Sequence, residues 1–187
     1  MGPLSARDIP NLITVFRIVL VGPVVLTMAA GRFDWALGLF ILAGVSDAVD
    51  GFLAKFFDWQ SWLGSFLDPV ADKLLLVSCY LTLGLMGLAP GWLVLAVVLR
   101  DVVIVAGAIA YYRLSGPYEG RPLLISKLNT LLQLSLVVAL LFHHGLQPLP
   151  AVLLALLTYG ALFTTVASGA WYVFVWGRNY RHAGSPQ

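Results

Sequence analysis

Long apolar runs, separated by short joints of glycine, proline and charged residues, dominate the chain. A helix needs about 20 mostly apolar residues to cross the hydrocarbon core of a bilayer. A transmembrane β-barrel would instead show segments of about 10 residues with alternating polarity. The pattern therefore predicts an all-α polytopic membrane protein whose whole chain, residues 1–187, forms one transmembrane domain. The six predicted spans are Leu12 to Ala30, Trp35 to Phe56, Leu63 to Leu85, Trp92 to Tyr112, Ile125 to Phe142 and Val152 to Trp176.

The composition excludes the main classes of soluble protein. Only 11% of the 187 residues are charged, whereas 60% are hydrophobic. An average soluble domain carries about 25% charged residues, so this chain has too few charges to cover a surface in contact with water. The same composition excludes an intrinsically disordered chain. The net charge of +2 gives no reason to expect a nucleic-acid partner.

The basic residues predict how the chain crosses the membrane, because cytoplasmic joints carry an excess of lysine and arginine. With the N-terminus inside, Arg32 is the one basic residue on the outer face, and seven lie on the cytoplasmic face. These seven are Arg7, Lys55, Arg113, Arg121, Lys127, Arg178 and Arg181. We therefore expect both termini in the cytoplasm. The short tails and the lack of a transit peptide favour a bacterial inner membrane.

Five aspartates lie in or at the ends of the apolar runs: Asp47, Asp50, Asp68, Asp72 and Asp101. An ionised carboxylate inside a span costs at least about 2.5 kcal/mol on insertion scales, so these residues need a compensating interaction. The first pair is three residues apart and the second pair four, and both spacings place side chains on one helical face. Because the joint between the second and third spans is short, we expect these helices to be antiparallel and adjacent. Four carboxylates would then meet near the cytoplasmic surface.

Four neighbouring carboxylates repel one another unless cations neutralise them. Oxygen ligands suit a hard divalent ion such as Mg²⁺ or Mn²⁺, and two such ions can bind pyrophosphate and stabilise a leaving phosphate. Gly51, Ala54 and Gly64 continue the same faces and leave room for a ligand. One alternative is a structural polar cluster in which Lys55 and Lys73 pair with the acids. Another is the ion pathway of a transporter or channel.

The acidic and small residues follow one another in a long, specific pattern. This pattern resembles the signature of the CDP-alcohol phosphatidyltransferases, and the six-span layout extends the resemblance over nearly the whole chain. The signature usually has arginine where Lys55 stands, so the charge is kept but a bidentate phosphate contact is not. The pattern is Asp47-x2-Asp50-Gly51-x2-Ala54-Lys55-x8-Gly64-x3-Asp68-x3-Asp72.

The resemblance implies an enzyme that moves a phosphatidyl group from a CDP-activated donor, here CDP-diacylglycerol, to an alcohol and releases CMP. It implies a homodimer of six-helix subunits, each with a polar cavity open to the cytoplasm. Asp47, Asp50, Asp68 and Asp72 would be the metal residues, and Asp72 would also act as general base. The implied CDP-binding residues are Asp47, Asp50, Gly51, Ala54, Lys55, Gly64, Asn11 and Arg17.

The first span opens with Asn11, Thr14 and Arg17, which recur every three residues and share a helical face. This opening is typical of the phosphatidylglycerophosphate and cardiolipin synthase branches of the family, which favours a place near the nucleotide. The alternative is an interfacial helix cap followed by an arginine that extends towards the membrane surface.

The acceptor alcohol must be recognised by residues outside the shared donor pattern. Arg100, beside Asp101 in the fourth span, either binds a lipid phosphate or forms a structural ion pair. Lys127 and Asn129 open the fifth span. Phosphatidylglycerophosphate synthases, whose acceptor glycerol 3-phosphate is a dianion, usually have a second lysine where Asn129 stands.

The fifth and sixth spans carry polar runs that resemble the CMP-forming, eukaryotic-type cardiolipin synthase branch. We therefore expect Arg100, Lys127 and Asn129 to bind phosphatidylglycerol, with glycerol 3-phosphate as the alternative acceptor. The other interpretation of Asn129 is an ordinary polar helix residue. The runs are Ile125-Ser126-Lys127-Leu128-Asn129-Thr130-x2-Gln133 and Phe163-Thr164-Thr165-x2-Ser168.

Overall fold

The computed structural model describes residues 9–57, 62–115 and 124–183, with side chains described in 11–52, 56–57, 67–107 and 124–175. Every regular element in the described ranges is a helix, and each helix covers one of the predicted apolar runs. The all-α fold class is therefore confirmed. The helices are α1 (Ile9–Ala29), α2 (Phe33–Phe56), α3 (Trp62–Leu85), α4 (Gly91–Ser115), α5 (Leu124–Gly145) and α6 (Ala151–Ala183).

Four of these helices, α1, α2, α5 and α6, are long and apolar enough in their described parts to cross a membrane. Large apolar side chains such as Leu26, Phe52, Val152 and Phe163 are exposed on their surfaces. A surface of this kind is poorly solvated by water but is compatible with lipid chains. The chain is therefore a polytopic membrane protein, and the spans assigned to α3 and α4 stay predictions.

Two sharp turns set where α1 and α3 end. Gly31 has a φ of 71°, and the N–H of Arg32 donates to the carbonyl of Thr27 at 2.9 Å. Gly87 has a φ of 73°, and the N–H of Leu88 donates to the carbonyl of Leu83 at 2.9 Å. Both are Schellman turns, in which glycine takes the left-handed backbone conformation that ends the helix. These glycines lie in the joints that the sequence pattern predicted.

The described helices group into two compact units. The first contains α1, α2, α3 and the C-terminal part of α5, and the second contains α4, the N-terminal part of α5 and α6. Within the first unit, α1 packs against both α2 and α3. Within the second unit, α4 packs against α6. The expectation that residues 1–187 form one domain stays a prediction.

In the first unit, the end of α5 approaches the start of α2 so closely that glycine alone fits there. A Cβ atom on Gly145 would lie 2.6 Å from the backbone nitrogen of Asp34 and 2.7 Å from the carbonyl carbon of Phe33. Just before this contact, Nδ1 of His143 accepts a hydrogen bond from the N–H of Leu149 at 2.8 Å, which holds the chain after the helix. The close approach therefore involves backbone atoms that have little freedom to move.

Gly145→Ala is expected to lower the free energy of unfolding by about 1–3 kcal/mol, because the added methyl group forces a backbone shift in a packed contact. Thermal unfolding of the purified protein in detergent measures the effect. Gly38→Ala in α2 is the matched control, since a Cβ there meets nothing within 4 Å. Equal unfolding temperatures for the two variants would contradict the prediction.

Candidate active site

A buried arginine from α1 lies among the aspartates of the first unit. Its Nη1 atom is 2.8 Å from Oδ1 of Asp47 and 2.6 Å from Oδ1 of Asp72. Its Nη2 atom donates to Oδ2 of Asp50 at 2.6 Å. The Arg17 side chain is only 1% exposed. Three carboxylates from α2 and α3 thus converge on a single cationic group from a third helix.

The structure brings the four aspartates of α2 and α3 together, as the sequence predicted. What the sequence did not predict is the group that joins them. In the described residues, the aspartates of α2 and α3 are linked through Arg17, because α1 packs against both helices. The physical reason is repulsion: like charges disfavour a close approach unless a cation lies between them.

The fourth aspartate of the pattern is held by a second residue of α1. The hydroxyl of Thr14 donates to Oδ1 of Asp68 at 2.6 Å, and Thr14 itself is buried. Thr14 and Arg17 are three residues apart, so one face of α1 contacts all four aspartates. Burial of Arg17 in this contact argues against the alternative of an arginine that extends to the membrane surface.

The acidic cluster is closed on one side and open on another. The side chain of Asp50 is only 4% exposed, whereas those of Asp47 and Asp72 are 46% and 51% exposed. The exposed carboxylates of Asp47 and Asp72 can therefore contact a ligand that enters the cluster, while the buried Asp50 forms an ion pair with Arg17.

The remaining residues predicted for the donor site fall into two groups. Gly51 is exposed, and a Cβ there would meet none of the described atoms within 4 Å, which is compatible with a ligand beside it. Asn11 is half-buried near the start of α1. Ala54, Lys55 and Gly64 lie outside the residues whose side chains the structure describes.

The donor atoms of the cluster suit a hard divalent cation, because all are carboxylate oxygens. Among the described side chains, no three acidic, histidine or cysteine groups are arranged to hold a metal ion. Nη1 of Arg17 contacts oxygens of both Asp47 and Asp72. The residues therefore fit a cation in charge and chemistry, provided that Arg17 gives up these contacts.

A second buried polar cluster lies in the other unit, among α4, α5 and α6. Arg100 is buried, and its Nη1 donates to Oδ1 of Asp101 at 2.7 Å. Its Nη2 donates to the hydroxyls of Ser126 on α5, at 2.8 Å, and Ser168 on α6, at 3.0 Å. The Nε of Arg100 has no hydrogen-bond partner in the described part of the chain. This arginine therefore links three helices of the unit and keeps one donor unused.

Asn129, one turn after Ser126, is completely buried in the same unit. Its Oδ1 accepts hydrogen bonds from the hydroxyls of Thr165, at 2.8 Å, and Thr164, at 3.0 Å. Nε2 of Gln133 in turn donates to the hydroxyl of Thr165 at 3.0 Å. The amide nitrogen of Asn129 has no partner among the described residues. A buried donor without a hydrogen-bond partner costs about 1–3 kcal/mol of stability. A ligand that accepts a hydrogen bond from the amide nitrogen of Asn129 would remove this cost.

The structure separates the three residues predicted to bind the acceptor. Arg100 and Asn129 belong to the buried polar cluster of the second unit, whereas Lys127 is exposed near the start of α5. Residues two apart on a helix face different directions, which accounts for the difference between Lys127 and Asn129.

The residues that hold Arg100 and Asn129 in place were not assigned roles from the sequence. Their helical spacing inside apolar runs could have identified them. Polar residues three, four and seven positions apart share a helical face and point to a common partner. The residues concerned are Ser126, Gln133, Thr164, Thr165 and Ser168.

Known proteins are similar to this chain over most of its length. A family model described as CDP-alcohol phosphatidyltransferase matches residues 7–174. The CMP-forming cardiolipin synthases of Rattus norvegicus and Homo sapiens are each 35% identical over 91% of this chain, covering 61% and 62% of their own lengths. The CDP-diacylglycerol–glycerol-3-phosphate 3-phosphatidyltransferase of Bacillus subtilis (strain 168) is 33% identical over 89% of this chain and 93% of its own length. The chain thus spans about three fifths of the two mammalian relatives.

Proposed function

Since the chain belongs to the CDP-alcohol phosphatidyltransferase family, we propose that it transfers a phosphatidyl group from CDP-diacylglycerol to an alcohol and releases CMP. The observation that carries this proposal is the convergence of Asp47, Asp50 and Asp72 on one cationic group, with Asp68 held beside them. Release of CMP from CDP-diacylglycerol by the purified protein is the direct test. A transporter or channel would release none.

The four aspartates are proposed to hold divalent cations, Mg²⁺ or Mn²⁺. When bound, such ions supply positive charge for the donor pyrophosphate and for the phosphate that leaves with CMP. All four are proposed as ligands, and the half-exposed Asp72 lies at the edge of the site. The open space beside Gly51 supports a place for the nucleotide, for which Asn11, Arg17, Ala54, Lys55 and Gly64 are the further candidates.

Asp72 is proposed as the general base. Its side chain is half exposed, so an acceptor hydroxyl can reach the carboxylate. In this role the carboxylate takes the proton of the acceptor hydroxyl. The hydroxyl oxygen then forms a bond to the phosphorus of the phosphatidyl group, while the bond from that phosphorus to CMP breaks and CMP leaves with the electron pair.

Phosphatidylglycerol is the acceptor that we propose, with cardiolipin as the product. Arg100 provides a cationic group for a phosphate, and the amide N–H of Asn129 adds a hydrogen-bond donor but no second positive charge for a dianion. The cardiolipin synthases among the relatives support this choice. Glycerol 3-phosphate is the second candidate, because the relative from Bacillus subtilis is named for that acceptor and is matched over nearly its full length.

The two acceptors are distinguished by offering each separately, with CDP-diacylglycerol, and identifying the lipid product. We expect cardiolipin from phosphatidylglycerol and little product from glycerol 3-phosphate. Asn129→Lys is expected to raise use of glycerol 3-phosphate by about one to two orders of magnitude, since a charge-assisted contact contributes about 1.5–3 kcal/mol.

The matched control for this change is Thr130→Lys, which adds the same charge at the next, exposed position of α5. It should leave acceptor preference unchanged. Efficient synthesis of phosphatidylglycerophosphate by the unaltered protein, with no cardiolipin, would overturn the choice of acceptor even if Asn129→Lys did not fold.

We further propose a homodimer in a bacterial inner membrane, with both termini and the acidic cluster on the cytoplasmic side. The support for this orientation is the distribution of basic residues, of which Arg32 alone falls on the predicted outer face. A cytoplasmic site matches the chemistry, because a donor that carries a nucleotide and a product as polar as CMP both need access to water.

A further inference from the structure

Arg17 occupies the position at which the carboxylates of two helices meet. One nitrogen, Nη1, lies 2.8 Å from Asp47 and 2.6 Å from Asp72. A divalent ion held by the same carboxylates would lie close to the guanidinium, and the two positive charges would repel each other. These carboxylates can therefore serve one of the two cations at a time.

The Arg17 guanidinium also has a hydrogen-bond donor that is not used. A guanidinium has five N–H donors in a fixed planar arrangement. Both terminal nitrogens contact carboxylates, whereas Nε is buried and has no partner in the described part of the chain. If the Arg17 guanidinium leaves this position, it loses its ion pairs. Its Nε–H, however, is then no longer a buried donor without a partner.

We infer that Arg17 is a built-in counter-cation, which neutralises the acidic cluster in the metal-free protein and yields Asp47 and Asp72 when a divalent cation binds. This inference rests on the proposed function in one respect: the ion is the one that the phosphatidyltransferase site would hold. Exchange would free the guanidinium for a bidentate contact with a phosphate, which is a favoured partner of arginine. Binding of the cation would thus make Arg17 available to bind the pyrophosphate of the donor.

The inference is tested by Mn²⁺ binding to the 187-residue chain in detergent, without donor, measured from the free Mn²⁺ signal in electron paramagnetic resonance. Arg17→Gln removes the competing charge and should bind Mn²⁺ at least tenfold more tightly. In EDTA this variant should unfold at a lower temperature than the unaltered protein, and Mn²⁺ should raise its unfolding temperature by more. Equal or weaker Mn²⁺ affinity in Arg17→Gln, or no binding to either protein, would overturn the inference.

The matched control is Arg32→Gln, which makes the same change at an exposed arginine of the turn before α2. The Arg32 guanidinium lies 5.3 Å from the ring centroid of Trp35 and outside the acidic cluster. Its Mn²⁺ affinity should equal that of the unaltered protein. A rise in both variants would show an effect of overall charge and would contradict competition at the site.

A measurement on the unaltered protein covers the case in which Arg17→Gln does not fold. Phenylglyoxal modifies free guanidinium groups, and mass spectrometry reports the rate at each arginine. Arg17 should react slowly in EDTA and several-fold faster with Mn²⁺, while the rate at Arg32 stays constant. An unchanged rate at Arg17 would overturn the inference. CMP release that still needs a divalent cation would, in that case, leave the proposed function intact.

Discussion

Asp50→Ala is expected to abolish CMP release from CDP-diacylglycerol, and Asp47→Ala and Asp68→Ala are expected to do the same. Each change removes an oxygen ligand from the cluster that would hold the divalent cations. Loss of several kcal/mol of charge stabilisation corresponds to a decrease of about 10³-fold or more in rate. The assay is CMP formation by the purified variant, alongside the unaltered protein in excess EDTA.

Stability must be measured with activity in this series, because Asp50 is buried against Arg17. Removal of one partner of a buried ion pair commonly costs about 3–5 kcal/mol. Asp47 is nearly half exposed, so its variant should stay closer to the unaltered protein in unfolding temperature. Asp34→Asn, in the first turn of α2, is the matched control and should keep full activity. Full activity of Asp50→Ala, or of the unaltered protein in EDTA, would exclude the proposed cation site.

The helices could be predicted from the sequence because a bilayer imposes one length on every span. Glycine and charged residues interrupt the apolar runs at the points where Gly31 and Gly87 later form turns. Spacing within one helix also predicts which side chains share a face. Asp47 with Asp50, and Asp68 with Asp72, had to share faces whatever the packing of the helices.

The partners of these faces could not be predicted in the same way. Local spacing shows that Arg17 and Thr14 share a face, but it contains nothing about which helix that face meets. The contact between positions 17 and 72 depends on how α1 packs against α2 and α3, which is a property of the whole unit. For the same reason, Asn129 could be proposed for the acceptor while its partners Thr164 and Thr165 stayed unassigned.

Arg17 also shows why the charge pattern was only partly informative. An aspartate cluster implies a neutralising cation, and the sequence suggested a metal ion or the lysines near the cluster. The described contacts add a third source, an arginine from another helix that is nearly completely buried. A formal count of charges cannot distinguish these sources, because it contains no distances.

Asp72→Asn is expected to reduce turnover by about 10²–10⁴-fold, the usual contribution of a general base, while donor binding is kept. The amide keeps the shape of the side chain and accepts the Arg17 contact through its carbonyl oxygen, but it cannot take a proton at neutral pH. Single-turnover CMP release measures the chemical step, and equilibrium binding of CDP-diacylglycerol measures the donor site, with Asp34→Asn as control for both. A rate within about threefold of the unaltered protein would remove Asp72 from the role of base. A loss of donor affinity together with the loss of rate would instead make Asp72 chiefly a ligand of the cation, because a base for the acceptor hydroxyl acts only after the donor is bound.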